Sequence, residues 1–352
     1  MLIPLYFLIG FFGGQQRRYA AVKFLIFSLV GGLVMLVAVI ALYFQGPGGE
    51  QAFLTANLTG LTLDPWVERL LFVGFFAAFA IKAPLVPVHT WLPSVAESAR
   101  AGTTTLLVAV LDKVGTFGML TLCLVLFPGA SRWAAPFVII LAVISVLYGA
   151  FAAIGQDNLY RLVAFTSVSH FGMIILGIFA LRQTSIEGAS FYMVSHGLST
   201  GALFLMVGFL EARHGTVSVK AFGGLQKVVP VLAGTFLIVG MSSLALPGMS
   251  PFAAEIMVFI GAYPAAEAAV IVAILGVVLA ALYILLTYQK VFTGPTPTAM
   301  ESTKDLTMRE RLVVWPLIAS MLVLGIVPAF VLDYLRESSA GIVAIVSEEA
   351  GK

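Results

Sequence analysis

The sequence predicts an all-α protein: a polytopic transmembrane helical bundle with inverted repeats and two discontinuous helices. Three observations carry this expectation. Of the 352 residues, 60% are hydrophobic and only 10% are charged, against roughly 25% charged in an ordinary soluble domain. So few charges cannot cover a soluble fold of this size, whereas a helix facing lipid needs no polar face. The apolar residues also gather into runs that approach or exceed the ~20 residues of a bilayer crossing. Two of those runs are interrupted by paired prolines beside an ionisable residue, the pattern of transport sites built from repeats.

Ten membrane segments follow in order. Met1–Gly13 is apolar from Leu2 to Phe12 and ends in Gly13-Gly14. It is short for a span, has no basic leader or small-residue cleavage site, and reads as the second half of a helix. Ala21–Phe44 is a full apolar run. Trp66–Leu92 is the first broken segment: Pro84 and Pro87 each remove a backbone donor and force local unwinding. Gly102–Phe127, Ala134–Gly155, Leu159–Leu181 and Glu187–Glu211 are continuous. Val229–Tyr263 is far longer than one span and is interrupted by Pro247, Gly248 and Pro251. Ala266–Phe292 and Leu312–Leu332 complete the set. Gln45–Asp64 and Thr293–Arg311 are the longest loops. The tail after Asp333, with its acidic Glu348-Glu349, is expected on the membrane surface.

Loop charges orient the bundle. Alternate loops carry Arg17, Arg18, Lys23, Arg100, Arg161, Arg213, Lys220, Lys227, Lys290, Lys304, Arg309 and Arg311, and this side is expected to be cytoplasmic. The opposite side carries only Arg69, Arg132, Arg182, Arg336 and Lys352. Lys82 and Lys113 fall inside helices.

Those two lysines open the list of candidate functional residues. A charge at the bilayer centre costs ~2.5–3.5 kcal/mol on insertion scales, so Lys82 needs a partner, a water cavity or a depressed pKa; a lysine that snorkels to the interface is the alternative. Lys113 follows Asp112; neighbours on a helix point ~100° apart, so each faces a different helix or the two make a structural pair. His170 has Thr166 four residues before it, on its own face, and Ser167 nearby. Hydroxyls beside an imidazole suit a proton wire; a hydrogen-bonded core histidine is the alternative. His196, flanked by Ser195 and Ser199, lies at similar depth on the next helix, and two such histidines favour the relay. Glu255 follows the second break, as a carboxyl that can hold a proton in low dielectric or as a helix cap, for which it lies late. His89, beside Trp91, is an interfacial exit group or a structural hydrogen bonder. Lys82 and Glu255 are expected at corresponding positions of two repeats.

The exclusions are equally specific. Net charge is +2 and gives no nucleic-acid character. The single Cys123 sits in the apolar run Leu122–Leu126, which rules out a disulfide framework, a zinc cluster or an iron–sulfur site within the chain. A metal site at the histidines lacks further ligands nearby. There is no Walker A sequence, dinucleotide-binding glycine motif or CxxCH, so NADH, flavin, haem and ATP are not expected to bind here.

At this point a resemblance becomes specific. Lys82-Ala83-Pro84-Leu85-Val86-Pro87-Val88-His89-Thr90-Trp91-Leu92-Pro93 resembles the central motif of the proton-translocating, antiporter-like subunits of respiratory complex I. Arg161 to Gly172, His196-Gly197-Leu198, and Leu246-Pro247-Gly248 followed by Glu255 match the later motifs of that family in order. Glu255 standing where related subunits carry lysine, and the early end of the chain, resemble the M-type branch (chain 4) of NADH:quinone oxidoreductase. Departures fall at Ser94, in Ser98-Ala99-Arg100-Ala101-Gly102, at Tyr160 and at Pro251.

The resemblance implies a relay through Lys82, Lys113, His170, His196 and Glu255, driven by quinone reduction in other membrane subunits. NADH, flavin, iron–sulfur clusters and quinone would be carried by those partners, in a bacterial plasma membrane. It implies a partial first repeat over 1–127, a second over 128–292, and a loop, last helix and tail over 293–352. It also implies that the chain is truncated at its N-terminus, with the family's first-half glutamate before Met1. The alternatives are a subunit of a multisubunit Na+/H+ antiporter or membrane-bound hydrogenase, and a structural fragment without transport.

Overall fold

The computed structural model describes residues 2–49 and 51–348; Glu349 of the expected acidic patch lies outside them. Among the described residues the chain is a helical bundle without a β-strand. In chain order the helices of eight or more residues are α1 (Leu2–Phe12), α2 (Arg17–Tyr43), α3 (Pro65–Lys82), α4 (Trp91–Ser98), α5 (Ala101–Leu126), α6 (Pro128–Ile154), α7 (Leu159–Phe179), α8 (Gln183–His214), α9 (Pro230–Ser243), α10 (Ser250–Ala262), α11 (Glu267–Phe292), α12 (Met308–Ile326) and α13 (Ala329–Glu348).

Their ends follow local chemistry. Asp64 caps α3 by accepting from the Trp66 and Val67 amides, with Pro65 in the first turn, where no donor is needed. Asn158 caps α7 in the same way. Thr307 and Glu310 form a reciprocal capping box on α12. Gly215, at φ +65°, closes α8 in the left-handed conformation.

Helices α2, α5, α6, α7, α8 and α11 are each long and apolar enough to cross a membrane unaided. The chain is a multi-pass membrane protein. Rows such as Ile26, Leu33, Val37 and Ile40 on α2, and Ile271, Leu275, Val278 and Leu282 on α11, are exposed apolar side chains, surfaces suited to lipid or to neighbouring membrane helices. Helix α7 is the opposite case. Every residue from Leu159 to Phe179 except Arg161 is buried, so it is the axis around which α6, α8 and α10 pack.

Both expected breaks are present. The first separates α3 from α4; the second separates α9 from α10. A third was not expected. Segment Leu312–Leu332 does not run through: α12 ends at Ile326 and α13 continues at 66° to it. Pro328 supplies the cause, because it lacks a donor and pushes Val327 to a non-helical φ of −124°. Residues beyond Asp333 are helical, and Leu335, Ile342 and Val346 of α13 pack on the bundle.

On the loop side rich in Lys and Arg, Arg213 grips both carboxylate oxygens of Glu310 at 2.7 Å. Asp157 accepts from Ser218 Oγ at 2.7 Å and from the Lys220 amide at 3.1 Å. The Ser218 hydroxyl bond is the main reason the Asp157 carboxyl lies below its ordinary range.

Candidate functional site

At the first break, residues 83–90 leave the helical path, yet the freed backbone groups find partners. The Ala83 and Leu85 amides donate to Phe79 O at 2.7 Å and Ala80 O at 3.0 Å. The Trp91 indole N–H donates to Ile81 O at 2.9 Å, and the Val86 amide to Ser145 Oγ at 2.9 Å. An unpaired amide or carbonyl at membrane depth costs several kcal/mol, so these bonds are what allow Pro84 and Pro87 to sit here. Lys82 is the last residue of α3. Its ammonium donates to Ser28 Oγ at 3.4 Å and lies 5.1 Å over the Phe24 ring, both on α2. His89 is buried. It packs edge-on against Tyr148, with ring centroids 4.9 Å apart, and its Nδ1 has no partner.

Helix α5 carries a π-helical turn over Leu107–Leu111, just before Asp112 and Lys113. The wider turn is closed by the Asp112 amide donating to Leu107 O at 3.0 Å. Lys113 turns to α8: its ammonium donates to Val108 O and meets His196 Nδ1 at 2.8 Å. With the lysine charged, Nδ1 accepts and the imidazole proton sits on Nε2. Asp112 makes no ion pair with Lys113, and neither oxygen of its carboxyl, which is 0% exposed, has a partner.

The histidines come together. His170 and His196 meet edge to face, with centroids 5.2 Å apart and planes at 75°. His170 Nε2 lies 3.2 Å from the Tyr283 hydroxyl. The nearby hydroxyls do not serve the imidazoles. Thr166 and Ser167 both donate to Val163 O, at 2.8 and 3.1 Å, and Ser199 donates to His196 O. Each would otherwise leave a buried O–H unbonded, and the carbonyl behind it is the nearest acceptor.

Around the second break the chain turns through Ala245 at φ +58° and Gly248 at φ +93°. Pro247 lies within it. Pro251 does not: it occupies the first turn of α10, where its missing donor costs nothing. Glu255 is one turn further in, buried and beyond capping range. Lys82 thus precedes its break, whereas Glu255 follows its own. The Glu255 carboxyl lies within electrostatic reach of Tyr192 and Tyr283.

The result is a row drawn from α5, α8, α7, α11 and α10, running from the half-buried Lys113 to the buried His196, His170, Tyr283 and Glu255. Every member can give or take a proton. Tyr283 and Tyr192 were not singled out in the sequence. Tyr192 carried a signal, since it lies four residues before His196 on one helix face; Tyr283 carried a weaker one, a lone phenol in the run Ala280–Leu286. Among the described residues no three His, Cys, Asp or Glu side chains gather as a metal-binding set.

Residues 1–282 match the model of the family described as NADH:quinone oxidoreductase/Mrp antiporter, TM. The chain is 49% identical over 344 residues to NADH-quinone oxidoreductase subunit M of Mycobacterium tuberculosis (strain CDC 1551 / Oshkosh), covering 96% of this chain and 62% of that one. Against subunit M of Rhodobacter capsulatus the identity is 37% over 352 residues, covering 97% and 69%. The fold is similar to that of a chain in respiratory complex I from Thermus thermophilus with bound NADH, with a TM-score of 0.93, 32% identity and coverage of 98% and 73%. It is also similar to a chain of the Mrp complex from Dietzia sp. DQ12-45-1b, at a TM-score of 0.88 and 22% identity; that likeness concerns the fold alone.

Proposed function

Because the chain belongs to the NADH:quinone oxidoreductase/Mrp antiporter transmembrane family, we propose that it translocates protons as an M-type, antiporter-like subunit of NADH:quinone oxidoreductase in a bacterial plasma membrane. The chain spans 62% of the length of the M. tuberculosis relative it matches, and the activity proposed is that of the assembled complex. One observation carries the reading: the row of contacts from Lys113 through His196 and His170 to Tyr283, with the buried Glu255 within electrostatic reach of Tyr283, set among apolar helices. Such intramembrane charges are costly and mark ion pathways.

NADH oxidation and quinone reduction would take place in partner subunits, which would hold the flavin and iron–sulfur clusters. A charge change beside Lys82 would alter its proton affinity, each pKa unit corresponding to about 1.36 kcal/mol, and the disturbance would travel along the row. The 49% identity to subunit M favours this reading over a Mrp-type antiporter, whose likeness rests on fold.

The test is Lys113→Ala in membranes containing the complete complex. Proton pumping and coupled quinone reduction should fall together while assembly is retained. Unchanged pumping would overturn the proposal, and sodium-dependent transport without NADH oxidation would replace it with antiport.

A further inference from the structure

Helix α5 presents two different faces one residue apart. Ala109 and Lys113, four residues apart, share the face toward α8, where a Cβ on Gly197 would fall 2.7 Å from the Ala109 carbonyl. Asp112 and Gly115, three apart, share the face toward the first break, where a Cβ on Gly115 would fall 2.6 Å from both Phe79 O and Ala83 N. The π-helical turn ending at Leu111 sets this register. Asp112 therefore faces the Lys82 segment while its neighbour faces His196.

The Asp112 side chain performs no local structural task. It caps no helix, makes no hydrogen bond and joins no ion pair within 4.0 Å, and both oxygens are buried. A buried carboxyl without partners is expensive and rare. Two cations lie within its electrostatic reach, Lys82 and Lys113, each now held elsewhere. Lys113 is bound to His196 and Val108 O. Lys82 is held loosely, by Ser28 at the 3.4 Å margin of hydrogen bonding, on a flexible four-carbon stem.

We propose that Asp112 is a proton-carrying carboxyl linking Lys82 to the Lys113–His196 pair, an inference that rests on the relay reading above. Lys82 turns from Ser28 toward Asp112. One ammonium N–H bond breaks as an O–H bond forms on the carboxylate, leaving a neutral amine and a neutral acid. When Lys113 has passed a proton to His196 Nδ1, the Asp112 proton moves to the Lys113 amine and the carboxylate is restored. No electrons change hands.

The test uses complete complex in membranes, with Asp112→Asn, Asp112→Glu and Lys113→Ala in parallel. Asp112→Asn should lower coupled pumping by about 100-fold, the low end of what a positioned proton carrier contributes, and Asp112→Glu should restore most of it. The infrared difference spectrum induced by NADH should contain a protonated-carboxyl C=O stretch that shifts in Asp112→Glu and vanishes in Asp112→Asn. Wild-type pumping in Asp112→Asn, with pumping arrested in Lys113→Ala, would overturn this proposal and leave the relay intact. Wild-type pumping in both would overturn the relay itself. If the Asn variant does not assemble, wild-type and Glu spectra decide: an unmoved carboxyl band overturns the proposal and a shifted band supports it.

Discussion

Lys113 Nζ and His196 Nδ1 stand 2.8 Å apart, joining a cation on α5 to a titratable ring on α8. Lys113→Arg keeps the charge and the donors, but a guanidinium does not release its proton. Coupled pumping should fall by about 100-fold or more if proton exchange is the lysine's task. Normal pumping in an assembled Arg variant would show that the fixed charge suffices.

Tyr283→Phe removes one hydroxyl and keeps the ring. Its loss leaves His170 Nε2 without its 3.2 Å partner, at a stability cost of about 1 kcal/mol. The thermal midpoint should move little while pumping drops severely. A fall in stability with pumping intact would make the contact structural only.

Gly115→Ala should destabilise the first half of the bundle. The added methyl meets backbone at Phe79 and Ala83, which cannot rotate away as a side chain would, so overpacking should cost about 1–3 kcal/mol. Thermal unfolding of the purified complex measures it, and an unshifted midpoint would contradict the close approach.

Trp91→Phe tests how the first break is held. Phenylalanine fills most of the indole's volume but leaves Ile81 O without its donor, a penalty of about 1–3 kcal/mol for a buried group. Amide exchange across residues 81–91 should accelerate while the rest of the chain is unchanged.

The long helices and both expected breaks were legible because bilayer thickness and proline chemistry write directly into the residue pattern. Lys113 and the two histidines were legible because a charge or imidazole in an apolar run has few reasons to be there. Which atoms meet was not. Thr166 and Ser167 share a helix face with His170, but their hydroxyls satisfy Val163 O, and the partner came from Tyr283, more than a hundred residues away. The π-helical turn before Asp112 left no mark in composition, since Leu107–Leu111 reads as ordinary apolar helix. The third break left a weaker mark, a lone Pro328 near the end of an apolar run with no ionisable residue in the run before it.

The meeting of the two imidazoles has an electrical consequence. His196 is engaged through Nδ1 and His170 through Nε2, while His196 Nε2 and His170 Nδ1 have no partner. The rings touch edge to face, so no lone pair of one lines up with a proton of the other. The two rings make no direct hydrogen bond to each other. A proton driven by a 100 mV potential gains about 2.3 kcal/mol and would short a continuous wire. A proton-carrying row of this kind, as proposed above, would conduct across this pair only by way of a ring rotation or a bridging group between the two imidazoles.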